Sequence, residues 1–141
     1  MKTKKILSMI LSIVFMVTLC TPVCAVESRA SDQIAIYSMK VNPHPGYFSV
    51  IFSVTGPGYV DKLGCESIYL YKMVDSTWVP VPSQTKLENY SGMSSTNAYE
   101  HTNSIHCSSE RGEAYKIVVT IFSENSKGRD TRTQTFYEIS Q

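Results

Sequence analysis

From Tyr47 to Thr55 the chain alternates: Phe48, Val50, Phe52 and Val54 fall on one side of an extended backbone, Ser49 and Ser53 on the other. Successive side chains of a strand point to opposite faces, so this pattern describes a strand with one face in a core and the other toward water. The same period of two returns in Tyr115–Ser123, where Tyr115, Ile117, Val119 and Ile121 alternate with Val118, Thr120 and Phe122. It returns again in Ser67–Val74, where Ile68, Leu70 and Val74 alternate with Tyr69, Tyr71 and Met73. No segment beyond the first 25 residues carries a 3.6-residue apolar period over three turns, so no helix is predicted there. Strands with one apolar face and no helix to cover it can bury those faces only against one another.

Seven strands are predicted, at 33–41, 47–55, 67–74, 78–81, 100–107, 115–123 and 131–139. Turn chemistry separates them. Asn42-Pro43-His44-Pro45-Gly46 and Gly56-Pro57-Gly58 combine fixed and permissive φ, Asp75-Ser76-Thr77 has hairpin length, and Asn125 to Gly128 reverses the chain. Pro80 and Pro82 confine the fourth strand to a sheet edge, because proline donates nothing to a ladder. Residues 82–99 are polar and are predicted as a long loop. The expected fold is all-β, a seven-stranded antiparallel two-sheet sandwich.

The chain of 141 residues is long enough for one core and too short for two. Residues 1–25 read as a signal peptide: Lys2, Lys4 and Lys5, then an apolar run from Ile6 to Cys20, then Pro22 and the small-x-small site Val23-Cys24-Ala25. The run is shorter than the roughly 20 residues of a membrane span. Neither Leu19 before Cys20 nor Thr21-Pro22-Val23 before Cys24 makes a lipobox. Cleavage is expected after Ala25, leaving a flexible segment at 26–32 and a single domain at 33–141. The C-terminus has no apolar tail, so the product is expected to be secreted and released, with no membrane contact once the leader is removed. Without the three leader lysines, ten basic side chains face twelve acidic ones, a net charge of −2. That balance leaves no footprint for nucleic acid.

Chemistry is sparse. His101 and His106, five apart on a strand, face opposite ways, and His44 lies in a turn, so a zinc set is not supported. No Gly-x-Ser-x-Gly elbow is present, Asp61 lacks the alternating oxygens of a calcium loop, and Gly56-Pro57-Gly58 is followed by no phosphate-binding Lys-Ser/Thr. No cofactor is expected. The nine tyrosines are the compositional surplus. Tyr69 and Tyr71 share a face opposite Ile68 and Leu70, and Tyr90 and Tyr99 flank the long polar segment. Rigid aromatics with a polar tip suit sugar or peptide surfaces, and equally suit cross-strand packing on a wet sheet face. Cys65 and Cys107, the cysteines left after cleavage, fit one disulfide in an exported domain, worth roughly 3–4 kcal/mol, or two buried thiols acting as small hydrophobes.

Tyr115 to Gly128, with its aromatic start, alternating aliphatics and Asn-x-x-Gly turn, resembles the sixth strand and following turn of a fibronectin type III domain. Ile68–Met73 followed by Trp78-Val79-Pro80-Val81 resembles the hairpin of that family's third and fourth strands. The likeness spans about Val41 to Tyr137 and implies a fibronectin type III/Ig-like sandwich. Phe52 stands where that family has tryptophan, and the connection after the fourth strand is longer. The resemblance implies that Tyr115 is a corner tyrosine, its hydroxyl bonded to the backbone of Ser108–Gly112. It also implies that Cys65 and Cys107 lie at opposite poles, which works against a bond, and both readings stay open. Phe52 to Gly56, Asp61 to Gly64 and Gly128 to Arg132 are further similar to a family of small secreted proteins of clostridial Gram-positive bacteria. That likeness implies a compartment and no activity.

The expected function is that of an exported, monomeric, non-catalytic sandwich that binds an extracellular protein or glycan. The alternative is a small secreted hydrolase-like enzyme with a loop-borne site, and a third reading is a purely structural domain. Fold alone does not choose among them.

Overall fold

The computed structural model describes residues 33–141. The expected signal peptide at 1–25, its expected cleavage site and the 26–32 segment lie outside the described residues. Seven strands form one continuous antiparallel sheet: β1 (Ile36–His44), β2 (Tyr47–Val74), β3 (Thr77–Pro80), β4 (Lys86–Leu87), β5 (Ser94–Ser108), β6 (Ala114–Asn125) and β7 (Gly128–Ile139). No α-helix occurs among the described residues; a single 3₁₀ turn covers Pro82–Gln84.

The number of strands matches the sequence reading, but the strands are divided differently. Gly56-Pro57-Gly58 does not end a strand. β2 runs 28 residues through it, with a register irregularity between Thr55 and Val60. Pro57, which has no N–H to offer, sits at this exposed bend, so no ladder bond is lost. β2 pairs with β1 up to Thr55 and with β5 up to Gly64; from Lys62 onward it pairs with β6, and along its last part with β4 and β3. The expected loop at 82–99 instead holds the 3₁₀ turn, β4 and the start of β5. β5 begins at Ser94, six residues before the expected start, and is an edge strand whose polar sequence hides its period. β1 likewise extends through Pro43 to His44, and the turn contracts to Pro45 and Gly46.

The β2–β3 hairpin turns on Asp75 (φ +46°) and Ser76 (φ +64°). Positive φ at both central residues is the two-residue turn whose twist matches that of the flanking strands.

One core cluster gathers the inward positions of both halves. Phe48, Val50, Phe52, Val54, Ile105 and Cys107 come from the first; Ile68, Leu70, Ile117, Val119 and Ile121 come from the second. Phe48 meets Tyr115 edge to face at 5.2 Å between ring centroids. The two outward faces differ. That of the β1–β2–β5 half is lined by paired hydroxyls, Ser49 with Ser104 at 2.7 Å and Ser53 with Thr102 at 2.8 Å. That of the β3–β2–β6–β7 half is aromatic.

Candidate functional site

The register of the second half builds the aromatic face. Tyr71 lies opposite Lys116, Lys116 opposite Tyr137, and Met73 opposite Trp78. Cross-strand neighbours on one face sit side by side, so four strands deliver these side chains to one place. The Lys116 ammonium lies 4.2 Å from the Tyr71 ring centroid and 5.8 Å from that of Trp78. The Trp78 and Tyr137 rings are tilted at 5.7 Å. Tyr137 is 65% exposed and Tyr69, two residues along β2 from Tyr71, is 39% exposed. No carboxylate among the described residues forms an ion pair with Lys116, whose ammonium lies by the Tyr71 and Trp78 rings. Beyond the aromatic end, Thr120 and Thr133 pair their hydroxyls at 2.9 Å.

The four tyrosines singled out from sequence are not one site. Tyr69 and Tyr71 share this face. Tyr90 lies elsewhere, its ring beneath the Lys86 ammonium at 4.5 Å. Tyr99 pairs edge-on with Tyr59 at 5.8 Å, both exposed. Trp78, Lys116 and Tyr137 were missed as site residues. Each is an ordinary strand residue in the sequence, and only the cross-strand register joins them.

Tyr115 is 2% exposed, and its hydroxyl accepts the Glu110 backbone N–H at 2.9 Å. The ring carries the start of β6 beneath the turn that precedes it. Tyr115→Phe keeps the ring and removes the acceptor, and is expected to cost about 0.5–1.5 kcal/mol in urea unfolding. Tyr69→Phe, on the wet face, is expected to cost no more than a few tenths. Equal losses at both positions would contradict the corner role. Beside Tyr115, a shallow cleft of about 210 Å³ is lined by Val81, Ser83, Gln84, Ser108, Ser109 and Glu110. That is below the roughly 300–1,000 Å³ of small-molecule pockets.

Phe122 points outward by strand parity yet is fully buried. The Arg129 guanidinium lies over its ring at 3.8 Å and Lys62 caps it at 6.0 Å. Arg129 donates to Glu66 at 2.8 Å, Glu88 at 2.8 Å and Glu124 at 2.6 Å, while Lys62 also pairs with Glu88. Partial burial works against ionised Glu88, but hydrogen bonds from Lys62 and Arg129 prevail and hold its carboxyl below the ordinary value. A lowered folded pKa stabilises above the unfolded value, and that stabilisation is lost as pH falls through the folded value. Glu88→Gln is therefore expected to lose stability at neutral pH and to show a shallower decline than the parent between about pH 5 and 3. Parallel pH–stability curves in chemical denaturation would contradict this.

Cys65 and Cys107 are buried free thiols in the one core cluster. Burial pushes Cys65 up to about 12, with the charges of Cys107 and Glu66 adding in the same direction. Burial pushes Cys107 up to about 11. Both thiols stay neutral and unreactive at physiological pH. His44 and His106 flank the Tyr47 ring, at 4.7 Å and 4.9 Å. His101 lies apart from them, one ring nitrogen 2.8 Å from the Ser95 hydroxyl and the other 2.8 Å from the Gly92 carbonyl. Asn103 donates to the same carbonyl at 2.7 Å, so this group clamps the turn leading into β5. Among the described residues, no set of three or more His, Cys, Asp or Glu side chains is arranged to hold a metal. None of their helices is long and apolar enough to cross a membrane.

Comparison with protein-family models, with curated proteins and with solved structures finds no match to this chain.

Proposed function

We propose that this chain is an exported, monomeric, non-catalytic β-sandwich that binds an extracellular protein or glycan through the face formed by Tyr71, Trp78, Lys116 and Tyr137. The observation that carries the reading is the meeting of three rings and one cation on a rigid, outward sheet face. Rigid aromatics offer contact area at little entropic cost, and the carboxylate-free ammonium adds a charge for a partner to meet.

A two-layer, fibronectin type III/Ig-like arrangement fits the pairing. In that arrangement the earlier part of β2 with β1 and β5 would make one layer, and its later part with β3, β6 and β7 the second. The shared core cluster and the Phe48–Tyr115 contact support that division, as does the bond from Glu110 N–H to the Tyr115 hydroxyl. The signal-peptide pattern read at 1–25 supports export. Mass spectrometry of the secreted protein should find an N-terminus near Val26; a chain beginning at Met1 counts against export.

The binding reading is tested by retention of the purified domain on cell-wall polysaccharide, mucin and immobilised extracellular proteins. Trp78→Ala and Tyr137→Ala are expected to abolish retention while preserving the melting temperature. Retention unchanged in both variants would place the binding surface elsewhere.

One observation favours the enzyme alternative: Ser95 and His101 sit at hydrogen-bond distance, with a carbonyl orienting the other ring nitrogen. A fluorophosphonate probe tests it. Labelling of Ser95 that disappears in His101→Gln would support hydrolase chemistry, and no labelling would leave the group its structural role.

A further inference from the structure

Resting on the binding face just proposed, we infer that its ligand is an acidic glycan, with a uronate ring stacked on Trp78 and Tyr137 and its carboxylate bonded to Lys116. The cross-strand neighbours of Lys116 are Tyr71 and Tyr137, and no carboxylate among the described residues forms an ion pair with it. The other cations near this face are matched: Arg129 is held by Glu66, Glu88 and Glu124, and Lys62 by Glu88. Lys116 is the one cation of the aromatic patch, held at 4.2 Å from the Tyr71 ring and free to give its N–H bonds to an anion.

The rings define the rest of the ligand. The Trp78 and Tyr137 rings are tilted together at 5.7 Å, with Tyr137 mostly exposed, so their faces are open to a ligand ring. A pyranose presents a flat face of C–H bonds to such rings while its hydroxyls stay in water. In a uronic acid the charged group projects from the ring edge, where Lys116 stands. Four residues further along β6 the Thr120–Thr133 hydroxyl pair follows, about 13 Å away at the rise of a strand. An oligosaccharide lying along β6 and β7 spans both. A protein partner needs about 800 Å² on each side, much of it apolar at the centre. Here the apolar end gives way to threonines and then to ion pairs.

Calorimetric titration of the mature domain with oligogalacturonate and with its fully methyl-esterified form tests the inference, because the two share rings and linkages and differ in charge. The acid is expected to bind, the ester about tenfold more weakly, and the difference to shrink as salt is raised. Lys116→Gln is expected to bring the acid down to the affinity of the ester. Should that variant fail to fold, the acid–ester difference and its salt dependence in the parent protein decide alone. Equal binding of acid and ester overturns the uronate assignment while leaving the aromatic face as a sugar site. Binding of neither overturns the inference, and the retention experiment with Trp78→Ala then judges the binding face separately.

Discussion

Gly64→Ala is expected to destabilise the domain by about 3–5 kcal/mol, the sum of backbone strain and a steric clash that cannot relax. Gly64 has φ +149°, a conformation that side-chain-bearing residues rarely adopt. An added Cβ would stand 2.6 Å from the Ser94 Cα, and closer still to the Met93 carbonyl oxygen. Those atoms cannot move aside. The same carbonyl accepts the Cys65 N–H at 2.7 Å, and Gly64 is paired with Ser94 of β5 and Phe122 of β6 at once. At this point β2 passes from one set of partners to the other, and three backbones converge. Gly112→Ala is the control. Its φ is +78° but nothing lies within 4 Å, so only conformational strain of about 1 kcal/mol is expected. Urea midpoints of the two variants give the comparison; similar losses would mean that the convergence is looser than described.

Phe52→Ala is expected to cost about 3–5 kcal/mol and Ile117→Ala about 2–5 kcal/mol. Both side chains are fully buried, and they come from the two different halves of the sheet. Each truncation removes transfer free energy and leaves a cavity in a core held by strands on all sides, with little scope for collapse. A loss below about 0.5 kcal/mol at either position would mean that its face is not the core face.

Core faces were legible because strand parity needs only local sequence. Phe48, Val50, Phe52 and Val54, and Ile117, Val119 and Ile121, read as inward and are buried; between the alternating pairs of the third strand, left open by parity, Ile68 and Leu70 are the buried ones. Tyr69 and Tyr71, on the opposite parity, face outward. The bend in β2 was not legible, because glycine and proline mark a turn and a bulge with the same letters. β4, with two residues, has no period to read. The start of β5 at Ser94 was hidden because an edge strand of serine, threonine and asparagine shows polarity without alternation.

The candidate site was half legible for a related reason. Tyr71 was visible as an outward aromatic, but its neighbours Lys116 and Tyr137 lie 45 and 66 residues along the chain. Register between strands so far apart is set by the packed whole. Phe122 shows the reverse case: parity places it outward, and Arg129, arriving from β7, buries it.

Trp78 is the one tryptophan of the chain and stands within the proposed binding face, so its fluorescence reports directly on what happens there. The decisive measurement follows Trp78 emission and its quenching by acrylamide while the domain is titrated with extracellular glycans and proteins that it binds. Saturable protection of Trp78, with the affinity found by calorimetry, is the predicted result. Binding that saturates by calorimetry while Trp78 emission and quenching stay unchanged would contradict the account.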